Sequence, residues 1–214
     1  MTALLFCGGG GCDREPEPEL CPPLAEGDLV VSEIRGEQTV KDMIVQMGDP
    51  PMPVEVDIPD PYGEWIELYN ASGSSIDLYG LQLRFLELDG SNEGTVIVRR
   101  HLDVAAGERV VLSYFPDGDL PAHADYGWFP DFLGSDGQAH SLFDTGVVDV
   151  YACGTRIDRV RPDGLPSNAT WSFPAEPPDV TANDESLTWC DDGTGATDTE
   201  YAAGTPGEVN RPCP

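Results

Sequence analysis

Basic residues are scarce in this chain of 214 residues: Lys41 is its one lysine, and Lys and Arg together number 11 against 39 Asp and Glu. The resulting net charge of -28 repels phosphate and anionic headgroups, which excludes a nucleic-acid partner held in a basic groove. No apolar run is long enough to cross a bilayer. Helical periodicity is also missing beyond a turn or two expected around Val40 to Met47, so the helix count is expected to be near zero. The sequence has neither an HExxH motif nor a GxSxG nucleophile elbow, and its three histidines, His101, His123 and His140, stand apart. The usual signatures of zinc proteases and serine hydrolases are therefore absent. With no CxxC pair among six cysteines, a structural zinc site has no spacing to support it.

Short apolar runs punctuated by turn residues are what the chain has in quantity. There are 24 Gly and 20 Pro, and they fall between β-branched and aromatic stretches, as turns between strands require. EWIELYN (Glu64 to Asn70) and IDLYGLQLRF (Ile76 to Phe85) flank the turn Ala71-Ser72-Gly73-Ser74. In the second run Leu81, Leu83 and Phe85 alternate with Gln82 and Arg84, the period of a half-buried antiparallel strand. Hairpins of this kind must bury their apolar faces against a second sheet, so an all-β antiparallel sandwich follows. At this length one core is sufficient.

The same residues carry a resemblance. GDLVVSEI (Gly27 to Ile34), EWIELYN, IDLYGLQL (Ile76 to Leu83), VAAGERVVLS (Val104 to Ser113), VVDVYACGTRIDRV (Val147 to Val160) and GTPGEVN (Gly204 to Asn210) occur in the order seen in the lamin tail domain family, which the chain resembles. That family has an immunoglobulin-like β-sandwich and, in bacteria, occurs in many exported proteins. The resemblance implies a domain over residues 27–214 that acts as a non-enzymatic binding or adaptor module, with a protein or glycan of the cell envelope as partner and a monomer as the expected state. Two stretches depart from the pattern: Asp49 to Gly63, whose prolines oppose a central strand, and the long irregular loop Phe115 to His140. The bias to Arg over Lys, with abundant Gly and Pro, points to a GC-rich bacterial genome.

Cysteine placement bears on compartment. Cys21, Cys153, Cys190 and Cys213 lie in or beside the domain, and four such cysteines in an acidic, loop-rich β protein suit two disulfides formed outside the cytosol. Proximity of chain termini favours Cys21–Cys213 with Cys153–Cys190, worth roughly 5 and 4 kcal/mol in the chain-entropy model; buried free thiols are the alternative. Residues 1–12 (MTALLFCGGGGC) read as the end of a signal sequence. They are similar to a bacterial lipoprotein signal, with Cys12 as the lipidated residue and Cys7 as the alternative. Cleavage at Cys12 removes Cys7 and leaves an even set. Residues 13–26, with EPEPEL and CPP, then form an acidic, Pro-rich tether, and the membrane is met only through the lipid.

Candidate ligand chemistry is sparse. Oxygen-rich turns around Asp89, Asp117 and Asp191 could hold calcium, though none has EF-hand spacing and Asp-Gly pairs also make hairpin turns. Trp65 and Trp171 are expected in the core, while Trp128, in DYGWFPDF, is placed either near a ligand or as an anchor for its loop. His101 and Asp103 form an HxD at strand spacing, more typical of an exposed polar pair than of a metal hydrolase. Glu64 and Glu67, three apart, point to opposite faces of a strand and do not suit a shared acid–base site. Asn70 and Asn168 lie in N-x-S/T sequons. Alternative functions are a carbohydrate- or calcium-dependent adhesion module and an accessory domain of an extracellular hydrolase.

Overall fold

The computed structural model describes residues 20–36, 39–47, 52–59, 63–87, 94–129, 131, 146–161, 169–184, 188–192 and 204–213. Among them are fourteen strands and no α-helix. In chain order they are β1 (Leu29–Arg35), β2 (Thr39–Met47), β3 (Met52–Pro59), β4 (Trp65–Asn70), β5 (Ile76–Asp77), β6 (Gln82–Glu87) and β7 (Gly94–Ile97). They continue with β8 (Asp103–Val104), β9 (Arg109–Pro116), β10 (Tyr126–Phe129), β11 (Gly146–Ala152), β12 (Thr155–Val160), β13 (Thr170–Ser172) and β14 (Cys190–Asp192). A six-stranded sheet, ordered β10-β9-β4-β1-β13-β14, faces a four-stranded sheet, ordered β12-β11-β6-β7. The result is an immunoglobulin-like β-sandwich. All its pairs are antiparallel except β10 with β9, which run parallel.

The core lies between the sheets. Leu29, Val31, Ile34, Ile66, Leu68 and Leu112 from the large sheet meet Leu83, Phe85, Val96, Val148 and Val150 from the small one. The alternation of β6 appears as expected, with Leu81, Leu83 and Phe85 buried and Gln82 and Arg84 half-exposed. At roughly 1.5–3 kcal/mol for each large apolar side chain taken from water, this cluster is the main stabilising term.

Trp65 is buried, but not in that cluster. It pairs across β1 with Arg35 and across β9 with Ser113, on the opposite face of the large sheet from Ile66 and Leu68. Its burial is as expected, but on the outer face of the sheet: the strand period assigns Ile66 and Leu68 to the inter-sheet cluster and Trp65, Glu67 and Tyr69 to the other side. That outer face is polar yet buried, with Glu33, Arg35, Glu67, Thr170 and Ser172 all at most 2 % exposed. The C-terminal segment crosses it: the Thr205 amide donates to Glu33, the Gly207 amide to Glu67, and Asn210 Nδ2 to Ser32 O at 2.7 Å. Gly204, at φ +105°, makes the crossing sterically possible, since a Cβ there would lie 2.5 Å from Glu33 Oε1.

Two further expectations are revised. Val40 to Met47 is strand, not helical turn, and β2 with β3 forms a separate two-stranded hairpin outside both sheets. The prolines of β3 sit toward its ends, opposite Gln46 and Thr39, which reconciles a strand there with proline's missing N–H. The disulfides are Cys21–Cys153 and Cys190–Cys213, in place of Cys21–Cys213 and Cys153–Cys190. The entry segment runs beside β12, where the Gly27 amide donates to Ile157 O at 2.9 Å, so Cys21 meets the β11–β12 turn. Cys153 and Gly154 occupy that turn with φ of +50° and +76°, the left-handed pair of a type I′ hairpin. Asn210 meanwhile bonds Phe173 O beside β13, which brings Cys213 to Cys190 on β14.

The tether boundary also moves. Leu24 packs against the core cluster and Pro22 is buried, so Leu20 to Glu26 belongs to the folded domain. Cys7, Cys12 and Asp89 lie outside the described residues.

Candidate functional site

The described residues form a groove of about 410 Å³ at one end of the sandwich. One wall is the Leu20–Leu24 segment, another the Ser72–Ser75 turn, and Asp28, Asp77, Tyr79 and His101 complete the lining. Its volume falls in the range of roughly 300–1,000 Å³ typical of small-molecule sites.

Local sequence builds each wall. Asn70, fully buried at the end of β4, donates to Ser74 O at 2.7 Å and Val104 O at 2.8 Å, and its Oδ1 accepts from Ser72 N and Oγ. An Asx side chain bonding its own backbone two residues on is a recurrent turn device, and here it shapes the serine-rich wall. Asn70 is thereby withheld from the sequon chemistry that its motif suggested. The opposite wall approaches because residue 80 is glycine: φ is +84°, and a Cβ would lie 2.0 Å from Leu20 O. Cys21–Cys153 then fixes that wall covalently to the β11–β12 turn.

Asp77 organises the polar end. Its Oδ1 accepts from the amides of Tyr79 and Leu102, both at 3.1 Å, and its Oδ2 lies 2.5 Å from His101 Nδ1. Burial acts to raise the Asp77 carboxyl, but the hydrogen bonds from His101 and the two amides outweigh it and hold it below the usual aspartate range. The Asp77 hydrogen bond, together with the charges of Asp77 and Asp103, raises the His101 imidazole above its ordinary value. The His101 ring stacks on Tyr79 with centroids 5.0 Å apart and planes 25° apart, and its side chain remains 78 % exposed. The HxD motif thus acts differently from its spacing: His101 bonds Asp77, while Asp103 pairs with Asp77 across β8 and β5.

The other candidates are placed elsewhere. Trp128 is 1 % exposed and tilts against Phe85 at 6.1 Å, so it anchors its loop and does not face a ligand. Its neighbours explain this: Tyr126 on the same short strand donates through its hydroxyl to Ile97 O at 2.9 Å, tying β10 to β7. The Asp117 carboxylate is held by Arg100 at 2.6 Å and by the Gly127 amide, so its turn is closed by an internal ion pair. Asp191 lies in β14, opposite Trp171. Trp171 is half-buried and stacks on Trp189 at 6.0 Å, packed against the core. Among the described residues no group of three or more His, Cys, Asp or Glu is placed to hold a metal ion. Tyr79 and Asp77 are the site residues that sequence reasoning passed over. Their signal was the D-L-Y-G run, readable as a polar turn closing on a glycine.

Two further carboxylates are buried away from the groove, Glu67 under the C-terminal segment and Asp158 against β1. Burial pushes the Glu67 carboxyl up to about 7 against three groups that favour its charged form: the Ser32 hydroxyl at 2.6 Å, the Gly207 amide at 2.7 Å and Arg109 at 3.2 Å. Burial likewise pushes Asp158 up to about 7, although it accepts from the Val31 amide and Asn183 Nδ2. That amide sits at the bulge where β1 changes register, so Asp158 serves a backbone group the ladder leaves over. Both carboxyls are fully covered and work as structural acceptors.

Fold and groove together define a disulfide-bonded immunoglobulin-like sandwich with a concave end. The chain matches no protein-family model, and comparison with curated proteins gives no match.

Proposed function

We propose that this protein is a non-enzymatic, exported binding or adaptor module of the lamin tail type, held to the cell envelope by a lipid on Cys12, and that it meets its partner at the end groove. The observation that carries this is Cys21–Cys153, which belongs to the groove wall. Such a bond is stable in an oxidising compartment, so the condition for export and the shape of the site coincide in one cystine. The position of EWIELYN as a central strand of an immunoglobulin-like sandwich supports the lamin-tail assignment.

Asp77 and His101 have one feature of a general-base pair, the carboxylate on Nδ1. The adjacent Ser72 hydroxyl, however, is directed into its own turn, which supports binding over nucleophilic catalysis.

Hydrogen exchange of the full oxidised chain, with and without an envelope extract, tests the site. Slowed exchange at Leu20–Leu24, Ser72–Tyr79 and His101–Leu102 is expected. Protection confined to another surface overturns the groove assignment, and turnover of ester or glycoside substrates that is lost in His101→Ala overturns the non-enzymatic one. Mass spectrometry of the native N-terminus checks the anchor: a diacylated Cys12 is expected, and an unmodified peptide containing Cys12 refutes it.

A further inference from the structure

We infer that the end groove is a saccharide site, taking an uncharged sugar with one ring face against the stacked Tyr79–His101 pair. This rests on the binding-module function proposed above and adds the ligand class.

Four observations on the groove converge on that chemistry. The first is the aromatic pair itself. Tyr79 and His101 lie 5.0 Å apart and near-parallel, so the outer ring face of the stack is held flat, with polar edges, and matches the C–H face of a pyranose. The second is pre-organisation. His101 is oriented by Asp77, Asp77 is held by two backbone amides, and the facing wall is tied by Cys21–Cys153. Little ordering entropy is then lost when a ligand enters.

The third observation is the mixture of groups in the lining. Ser72 is spent within its turn, but the Ser74 and Ser75 hydroxyls can donate and accept, Asp28 accepts, and His101, with Nδ1 on Asp77, has Nε2 left for a ligand hydroxyl. A polyol needs such a mixed set, because each of its hydroxyls is both donor and acceptor. The fourth is charge. The net charge of -28 opposes uronates, sialates and phosphates, while Asp77 already accepts from three donors and is poorly placed to draw in a cation. With the mixed donors and acceptors of the lining, a neutral polyol is the class these contacts favour.

The full oxidised chain is screened on an array carrying neutral and acidic saccharides, with and without EDTA, and retained sugars are titrated by calorimetry. Neutral saccharides should bind with EDTA present. Tyr79→Ala should weaken binding by about tenfold or more, Tyr79→Phe should preserve it, and His101→Ala should weaken it by several-fold, with the melting temperature of each variant close to wild type. Retention of acidic sugars alone, loss of binding in EDTA, neutral-sugar binding indifferent to Tyr79→Ala, or an array with no bound sugar each overturns the inference. An empty array with envelope-dependent protection of the groove leaves the binding module standing and removes only its sugar. Protection elsewhere removes both.

Discussion

Glu67 and Asp77 are carboxylates with similar partners and opposite situations. Each accepts from backbone amide and side-chain donors and faces a basic group, Arg109 in one case and His101 in the other. Glu67 lies wholly covered beneath Gly204–Asn210, and burial raises its carboxyl to about 7. Asp77 lies in an open groove, where its hydrogen bonds prevail over burial and its carboxyl falls below the usual range. The lesson is one of magnitudes: the same donors leave a raised pKa where water is excluded and a lowered one where water still screens. The covered region therefore bears stability, and the open region is available for a ligand.

Removing the cystines tests this division with the largest expected effect. The closure of Cys21–Cys153 spans 132 residues and that of Cys190–Cys213 spans 23, which the chain-entropy model converts to about 5 and about 3 kcal/mol. Urea melts of the two double Cys→Ser variants should keep that order. Only the Cys21/Cys153 variant should also lose groove protection in hydrogen exchange. Peptide maps of native protein should recover these two linkages, and four free thiols would remove the case for export.

Aromatic truncation comes next. Trp65→Ala and Trp128→Ala each leave a large hole in fully buried surroundings and should cost on the order of 3–5 kcal/mol in a denaturant melt. Tyr79→Ala, in the half-exposed groove wall, should stay within about 1 kcal/mol, near the scale of surface substitutions. A large loss at Tyr79 would make the groove part of the folding core and erase the contrast.

Much of the sandwich was legible because strand periodicity is a local signal. β6 and β4 could be read from Leu81, Leu83, Phe85 and from Ile66 and Leu68. Trp65 was rightly expected buried but its face was not legible, because hydrophobicity alone does not tell which of two buried faces a residue joins; the outer face is covered by distant segments, the loop of His123 over Trp65 and the C-terminal segment over Glu33 and Glu67. The disulfide pairing failed for a related reason. Nearness of the termini is a statistical tendency, whereas the pairing depends on the entry segment passing beside β12 and on a type I′ turn presenting Cys153. The groove was hidden for the same long-range reason, since its walls come from residues 20–28, 72–79 and 101. Gly80 carried a trace of it, a glycine placed where a backbone comes close.

The effect of pH on stability is the finest probe of the contrast, because it separates the two carboxylates by sign. Glu67 and Asp158 hold protons more tightly folded than unfolded, with folded values of about 7 against ordinary values of 4.5 and 3.8. Their contribution is therefore fully present below about pH 4 and is lost as pH rises toward 7, at up to about 1.4 kcal/mol per pH unit for each group within that window. Arg109 and Glu176 are the charges that act on Glu67, the first favouring its ionisation and the second opposing it. Asp77 behaves in the reverse sense: its folded carboxyl is the stronger acid, so its contribution is present above its ordinary value of 3.8 and fades only as pH falls below it. Chemical denaturation of the wild type between pH 4 and 8 should show stability declining with pH. Glu67→Gln should flatten that decline, whereas Asp77→Asn should leave it unchanged below about pH 6, lessen it above, where His101 loses the partner that raises its imidazole, and, in melts extended below pH 4, alter that limb. A decline that survives Glu67→Gln undiminished would mean that the C-terminal segment does not exclude water from Glu67, and the two carboxylates would then differ in partners alone.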